Sequence, residues 1–223
     1  MVKIEKVNPF ALKKSELQDY LTKRCKHGHI YCEHPACYIK ESGRETKIGY
    51  LDIETSNLKA DFGVMLSYCI KEKGKSNILG RAITKKELEN DLDKDLVNEC
   101  IQDMLKFDVV ITYYGTRFDI PFIRSRALWW KLDFPIFGYL KHKDVYYMVR
   151  NKLCLSRNRL DNACRLFGIE GKTHLDGTYW IKALTGDKKS LKYILDHNKA
   201  DVEILEKLHE EIKDYVRNIN RSI

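Results

Sequence analysis

Residues 49–56 read GYLDIETS. The run is apolar and β-branched around two acids, Asp52 and Glu54, two positions apart. Side chains at i and i+2 of a strand share one face, so both carboxylates project from the same side. On an interior strand two such acids repel each other and resist desolvation. A divalent cation relieves both, and hard cations such as Mg²⁺ take oxygen ligands. A solvated strand end is the alternative, so the reading turns on whether further acids converge on this pair.

Outward from this strand the chain has an α/β order. Three strands are expected over 47–53, 63–71 and 78–83, with turn signals at 57–61 and 74–77. Residues 91–106 carry leucine, valine and isoleucine at helical spacing. DVVITYY at 108–114 reads as a fourth strand, and 119–130 as a helix. Helices follow at 144–152, 156–167 and 190–216, and a short one precedes at 10–24. The order predicts a mixed β-sheet flanked by helices. Two units are expected: 1–46, holding the first helix and a Cys/His-rich segment, and 47–223, the sheet domain.

The last helix supplies a remote acid. At 100° per residue, Ile194, Leu205, Leu208, Ile212 and His197 all fall within about 40° of Asp201. An acid in the middle of a core-facing stripe is paired or binds metal. His197 stands one turn away on the same face. Asp119, in YYGTRFDIPF, is either a helix N-cap or a further ligand.

LDIETS, TYYGTRFDIPFI and YILDHNKADVEIL together resemble the three motifs of DEDD-type 3′–5′ exonucleases, which have a ribonuclease H-like fold. The group of YprB-type predicted exonucleases is most similar, and the proofreading domains of family B DNA polymerases more distantly so. The resemblance spans 47–215. It implies Asp52, Glu54, Asp119 and Asp201 as four ligands of two Mg²⁺ or Mn²⁺ ions, and hydrolysis at the 3′ ends of single-stranded DNA or RNA. Two ions roughly 3.5–4 Å apart activate a water and stabilise the leaving oxygen. The family shows tyrosine four residues before the last Asp, or histidine five before it; here His197 stands four before. It either deprotonates or orients the attacking water, or pairs with Asp201. Tyr114 stands where the group generally has asparagine, and is either a base-stacking residue or an ordinary strand end. Thr55, Tyr114 and Phe118 are candidate substrate contacts, with Phe118 alternatively packed beneath Asp119. Asp144, in KHKDVYYMV, is an additional acid near the site or a helix N-cap. Among Arg117, Arg124, Arg126, Arg157, Arg159 and Arg165, some are expected on phosphates. A binding protein without catalysis and a structure-specific endonuclease are the alternatives on the same fold.

Residues 25–37 read CKHGHIYCEHPAC. Six thiol or imidazole donors in so short a span suit a structural Zn²⁺, which takes four. Cys25, His29, His34 and Cys37 are the expected set, with His27 or Cys32 as possible replacements. The segment has too few apolar residues to fold without such a staple.

Composition sets the outer bounds. Forty Lys and Arg against 32 Asp and Glu give a net charge of +8, which suits a polyanionic partner. No apolar run approaches the roughly 18 residues of a membrane span, and the charged start does not read as a secretory signal. Seven cysteines without a regular framework point to a reducing compartment, cytoplasmic or otherwise intracellular.

Overall fold

A computed structural model describes residues 7–171 and 176–216, and the backbone of 221–222. Its sheet has six strands: β1 (Ile48–Thr55), β2 (Met65–Glu72), β3 (Ile78–Ala82), β4 (Val109–Thr112), β5 (Lys141–Asp144) and the two-residue β6 (Arg221–Ser222). Their order is β3-β2-β1-β4-β5-β6. β1 is thus interior, antiparallel to β2 and parallel to β4. β5 runs parallel to β4, and β3 and β6 close the two edges antiparallel.

The alternation along β1 separates two cores. Leu51 and Ile53, with Leu66, Tyr68, Ile70 and Val110, pack on one face against α4 (Lys94–Met104) and α5 (Asp119–Trp129). Tyr50, with Cys69, Val109 and Ile111, packs on the other against α6 (Val145–Lys152), α7 (Leu160–Leu166) and α9 (Lys188–Ile212). Asp52 and Glu54 share the Tyr50 parity and so face α9. Gly49 permits this layering: a Cβ there would meet the Phe107 ring at 2.8 Å and Ile70 Cγ2 at 2.9 Å. A bulge between Glu54 and Thr55 opposite β2 ends the regular ladder beside the acids.

The element order agrees with the sequence, and the differences have local causes. β5 escapes sequence reading because KHKD is short and polar; pairing with β4 makes it a strand and buries His142 and Asp144. The expected strand over 108–114 stops at Thr112 because Tyr114 takes a left-handed backbone, φ +68°. Two short helices without a long apolar period, α3 (Lys85–Glu89) and α8 (Gly177–Ala183), were not expected. The N-terminal segment contributes α1 (Lys14–Thr22) and α2 (Pro35–Ser42) around a small core of Val7, Tyr20 and Tyr38. Asn8 Nδ2 donates to the carbonyls of Leu105 and Phe107, and Arg44 pairs with Asp108 at 2.7 Å, tying the segment to the sheet domain. No helix among the described residues is long and apolar enough to cross a membrane.

One buried ion pair locks the loop that follows β1. Asp93 is fully buried and accepts from Arg126 at 2.6 Å, from the Trp130 indole at 2.9 Å and from the Met65 amide at 2.8 Å. Arg126 also donates to the Ala60 carbonyl. Removing the acid leaves a buried guanidinium uncompensated, so Asp93→Ala is expected to lower unfolding free energy by about 3 kcal/mol. A shift of the denaturant midpoint checks this, and an unchanged midpoint contradicts it. Arg126 is thereby accounted for as a structural residue rather than a phosphate contact.

Candidate active site

β1 carries Asp52 and Glu54 to the face covered by α9, and α9 returns His197 and Asp201 one turn apart. His197 Nε2 lies 3.6 Å from Glu54 Oε1 and 3.7 Å from Asp201 Oδ2. Glu54, His197 and Asp201 each offer a donor atom within 4.8 Å of the others. His197 is 2% exposed, with the Trp180 ring 6.1 Å away and nearly perpendicular. Asp52 and Asp201 both line an open cleft of about 1300 Å³.

Asp119 reaches the same strand from the other side. It opens α5, is buried, and accepts from the Ile53 amide at 3.2 Å. β4 pairs with β1 only as far as Tyr50, so further along the strand the carboxylate binds the Ile53 N–H. Desolvation pushes its carboxyl up to about 7, with the Asp144 charge adding to it and backbone N–H groups opposing. An acid held so takes up either a proton or a cation near neutrality.

Asp144 organises the neighbouring turn. It caps α6 by accepting from the Tyr146 amide at 3.0 Å, and also accepts from Tyr114 N at 2.8 Å and Thr116 N at 2.9 Å. These bonds hold Tyr114 in its left-handed conformation, one that a bulky residue rarely adopts without such support. Gly115 is required beside it, because a Cβ would fall 2.2 Å from Thr112 Oγ1. The half-exposed Tyr114 ring meets Tyr146 edge-on at 4.8 Å, and both line the cleft with Tyr113, Arg159 and Arg165. The sequence flagged Asp144 and Tyr114; Tyr113 and Tyr146 gave no signal of their own.

The remaining expected contacts have the following neighbours. Phe118 is partly buried and packs against the core, with its ring 5.8 Å from Phe122. Thr55 donates its hydroxyl to the Asn57 carbonyl. Arg124 lies over the Phe134 ring, and Arg117 donates to the Tyr147 hydroxyl.

The Cys/His segment converges, with one change from the expected set. Cys25, His27, His34 and Cys37 bring donor atoms within 4.8 Å of one another. His34 Nδ1 is 2.8 Å and His27 Nδ1 3.3 Å from Cys37 Sγ. The turn closed by Gly28 N–H to the Cys25 carbonyl, with Gly28 at φ +84°, folds His27 back over Cys37. His27 and His29 both place Nδ1 4.0 Å from Cys25 Sγ, but His29 is not in the set of mutually close donors. His34 immediately precedes α2 and Cys37 lies in its first turn, a local reason for their compact spacing. Burial pushes the Cys37 thiol up, and the adjacent Cys25 sulfur adds to that.

Comparison with known proteins agrees with this architecture. A DNA polymerase of Methanocaldococcus jannaschii is 27% identical over 155 residues, covering 56% of this chain and 9% of that protein. The family B DNA polymerase from the hyperthermophilic archaeon Pyrobaculum calidifontis superposes with a TM-score of 0.63 at 15% identity, covering 77% of this chain and 25% of that one. The chain thus spans a quarter or less of the length of either. The fold is DEDD exonuclease-like, and a nuclease-type function is supported. The profile of the RNase_H superfamily matches residues 49–213, most of the chain and all of its acidic site, and the protein belongs to that superfamily.

Proposed function

We propose that the chain is a dication-dependent 3′–5′ exonuclease acting on single-stranded DNA or RNA ends. The observation that supports this best is the approach of Glu54 and Asp201, from separate elements, to one imidazole nitrogen at 3.6 and 3.7 Å, beside a cleft that Asp52 and Asp201 line. The donor set fits hard dications: four carboxylates, when ionised, balance about four positive charges. Asp52, Glu54, Asp119 and Asp201 hold the ions, and His197 belongs to the same catalytic group. Two Mg²⁺ or Mn²⁺ ions, when bound, supply an activated water and charge stabilisation at the leaving 3′ oxygen. Arg159 and Arg165 meet phosphates along the cleft, and Tyr114 offers a ring face to a base. Thr55 lies beside Glu54, where its hydroxyl steadies the loop above the acids. Cys25, His27, His34 and Cys37 take one structural Zn²⁺. Seven cysteines without a regular framework suit a reducing intracellular compartment.

The test is a time course on 5′-labelled DNA and RNA oligonucleotides with Mg²⁺ or Mn²⁺. Stepwise shortening is expected. Discrete internal products would replace the exonuclease with an endonuclease, and a mobility shift without products would leave only a binding protein.

A further inference from the structure

His197 is poorly placed to act as a base on a water in the cleft. Asp52 and Asp201 line that cleft, whereas His197 is 2% exposed. Its Nε2 instead faces the two carboxylates of Glu54 and Asp201. The separations, 3.6 and 3.7 Å, exceed the roughly 3.2 Å limit of a good N–H···O bond. They are close to the about 3.0–3.4 Å that separates two donors each bound at about 2.1 Å to a shared ion at 90–110°. A few tenths of an ångström of side-chain movement closes the difference. The three donors come from an interior strand and from one turn of a long helix, so their backbones are held by the two cores. Trp180 flanks the ring.

We infer that His197 is a metal ligand, and that Glu54, His197 and Asp201 together hold a first-row transition-metal dication in preference to Mg²⁺. The inference rests on the reading of these acids as an ion site and adds the nitrogen donor to it. Mg²⁺ prefers oxygen ligands and keeps its waters, whereas an imidazole nitrogen favours the transition series. Two carboxylates and a neutral imidazole balance the dication's charge. The water is then activated by the ion rather than by the histidine.

Mn²⁺ is the probe, added at one equivalent to the full chain, with binding followed by electron paramagnetic resonance. The expected result is nitrogen modulation from a directly bound imidazole in the wild type, lost in His197→Gln. The Mn²⁺ dissociation constant should rise about tenfold or more in that variant, on the order of a lost ligand contact. Mg²⁺ affinity, measured by calorimetry, should change by less than about threefold, because magnesium gains little from nitrogen. The histidines of the N-terminal segment are present in both proteins, so the difference reports His197 alone. Wild-type Mn²⁺ bound without nitrogen coupling would overturn the inference, whatever the folding of the variant. Equal weakening of Mn²⁺ and Mg²⁺ would do the same. If wild type takes up no Mn²⁺, or Asp201→Asn takes it up unchanged, the ion site fails and the proposed function with it. Binding that Asp201→Asn abolishes, but that shows no nitrogen, removes only the imidazole.

Discussion

Asp201→Ala is expected to lower dication-dependent degradation of a labelled oligonucleotide by about 10³-fold or more, since an ion at the reacting phosphate supplies several kcal/mol and each 1.36 kcal/mol is tenfold. Asp52→Ala should match it, because the two acids line the same cleft from different elements. Effects of residues that act as one unit are not additive, so the double variant should be little worse than either single one. The alternative explanation of Asp201, a structural pair on the core face of α9, makes a different prediction. Breaking a buried structural pair costs about 3–5 kcal/mol of stability. Under the catalytic reading, unfolding in chelator should stay within about 1 kcal/mol of wild type while activity disappears. Retained turnover in either single variant would refute the assignment. Loss of activity together with loss of the fold would return Asp201 to a structural role.

The second large effect concerns the N-terminal segment. Purified protein should carry one zinc per chain, and Cys37→Ser or chelation should abolish amide protection across α2 in hydrogen exchange. The segment's own core is Val7, Tyr20 and Tyr38, with Leu12, Tyr31 and Ile39 around it. Three buried side chains make too small a core to order the segment without a further tie. Structural zinc contributes about 10–16 kcal/mol in comparable small sites, enough to decide whether the segment folds. His27→Ala should act like Cys37→Ser, and His29→Ala should be much milder, because His27 lies 3.3 Å from Cys37 Sγ and His29 stands outside the group. Metal-free protein with α2 still protected would exclude the staple.

Much of this architecture is legible because two short periods carry it. The period of two in LDIET puts Asp52 and Glu54 on one face, and the period of 3.6 in α9 puts Asp201 at the centre of an apolar stripe. Both are local properties of the backbone, so a sequence displays them directly. The coarse order of strands and helices follows from the same signals. What stayed hidden depends on register across the fold. KHKD becomes β5 because β4 is beside it, and Asp144 then reaches the amides of Tyr114 and Thr116, some thirty residues earlier. Arg126 reads as one of several candidate phosphate contacts until Asp93 is found against it. Phe118, adjacent to an acid in sequence, is partly buried against the core beside Phe122.

By itself, then, the sequence determined the α/β order, the shared face of Asp52 and Glu54, the place of Asp201 on the apolar stripe of the last helix, and the density of thiols and imidazoles near the N-terminus. Only the tertiary structure decided that His197 sits between Glu54 and Asp201, that His27 rather than His29 closes on Cys37, and that Tyr114 is pinned by Asp144. The physical reason is one of distance. Periodicity assigns a face, to within tens of degrees. Ligation, hydrogen bonding and stacking are settled within a few tenths of an ångström, and only the packing of remote segments fixes positions that finely.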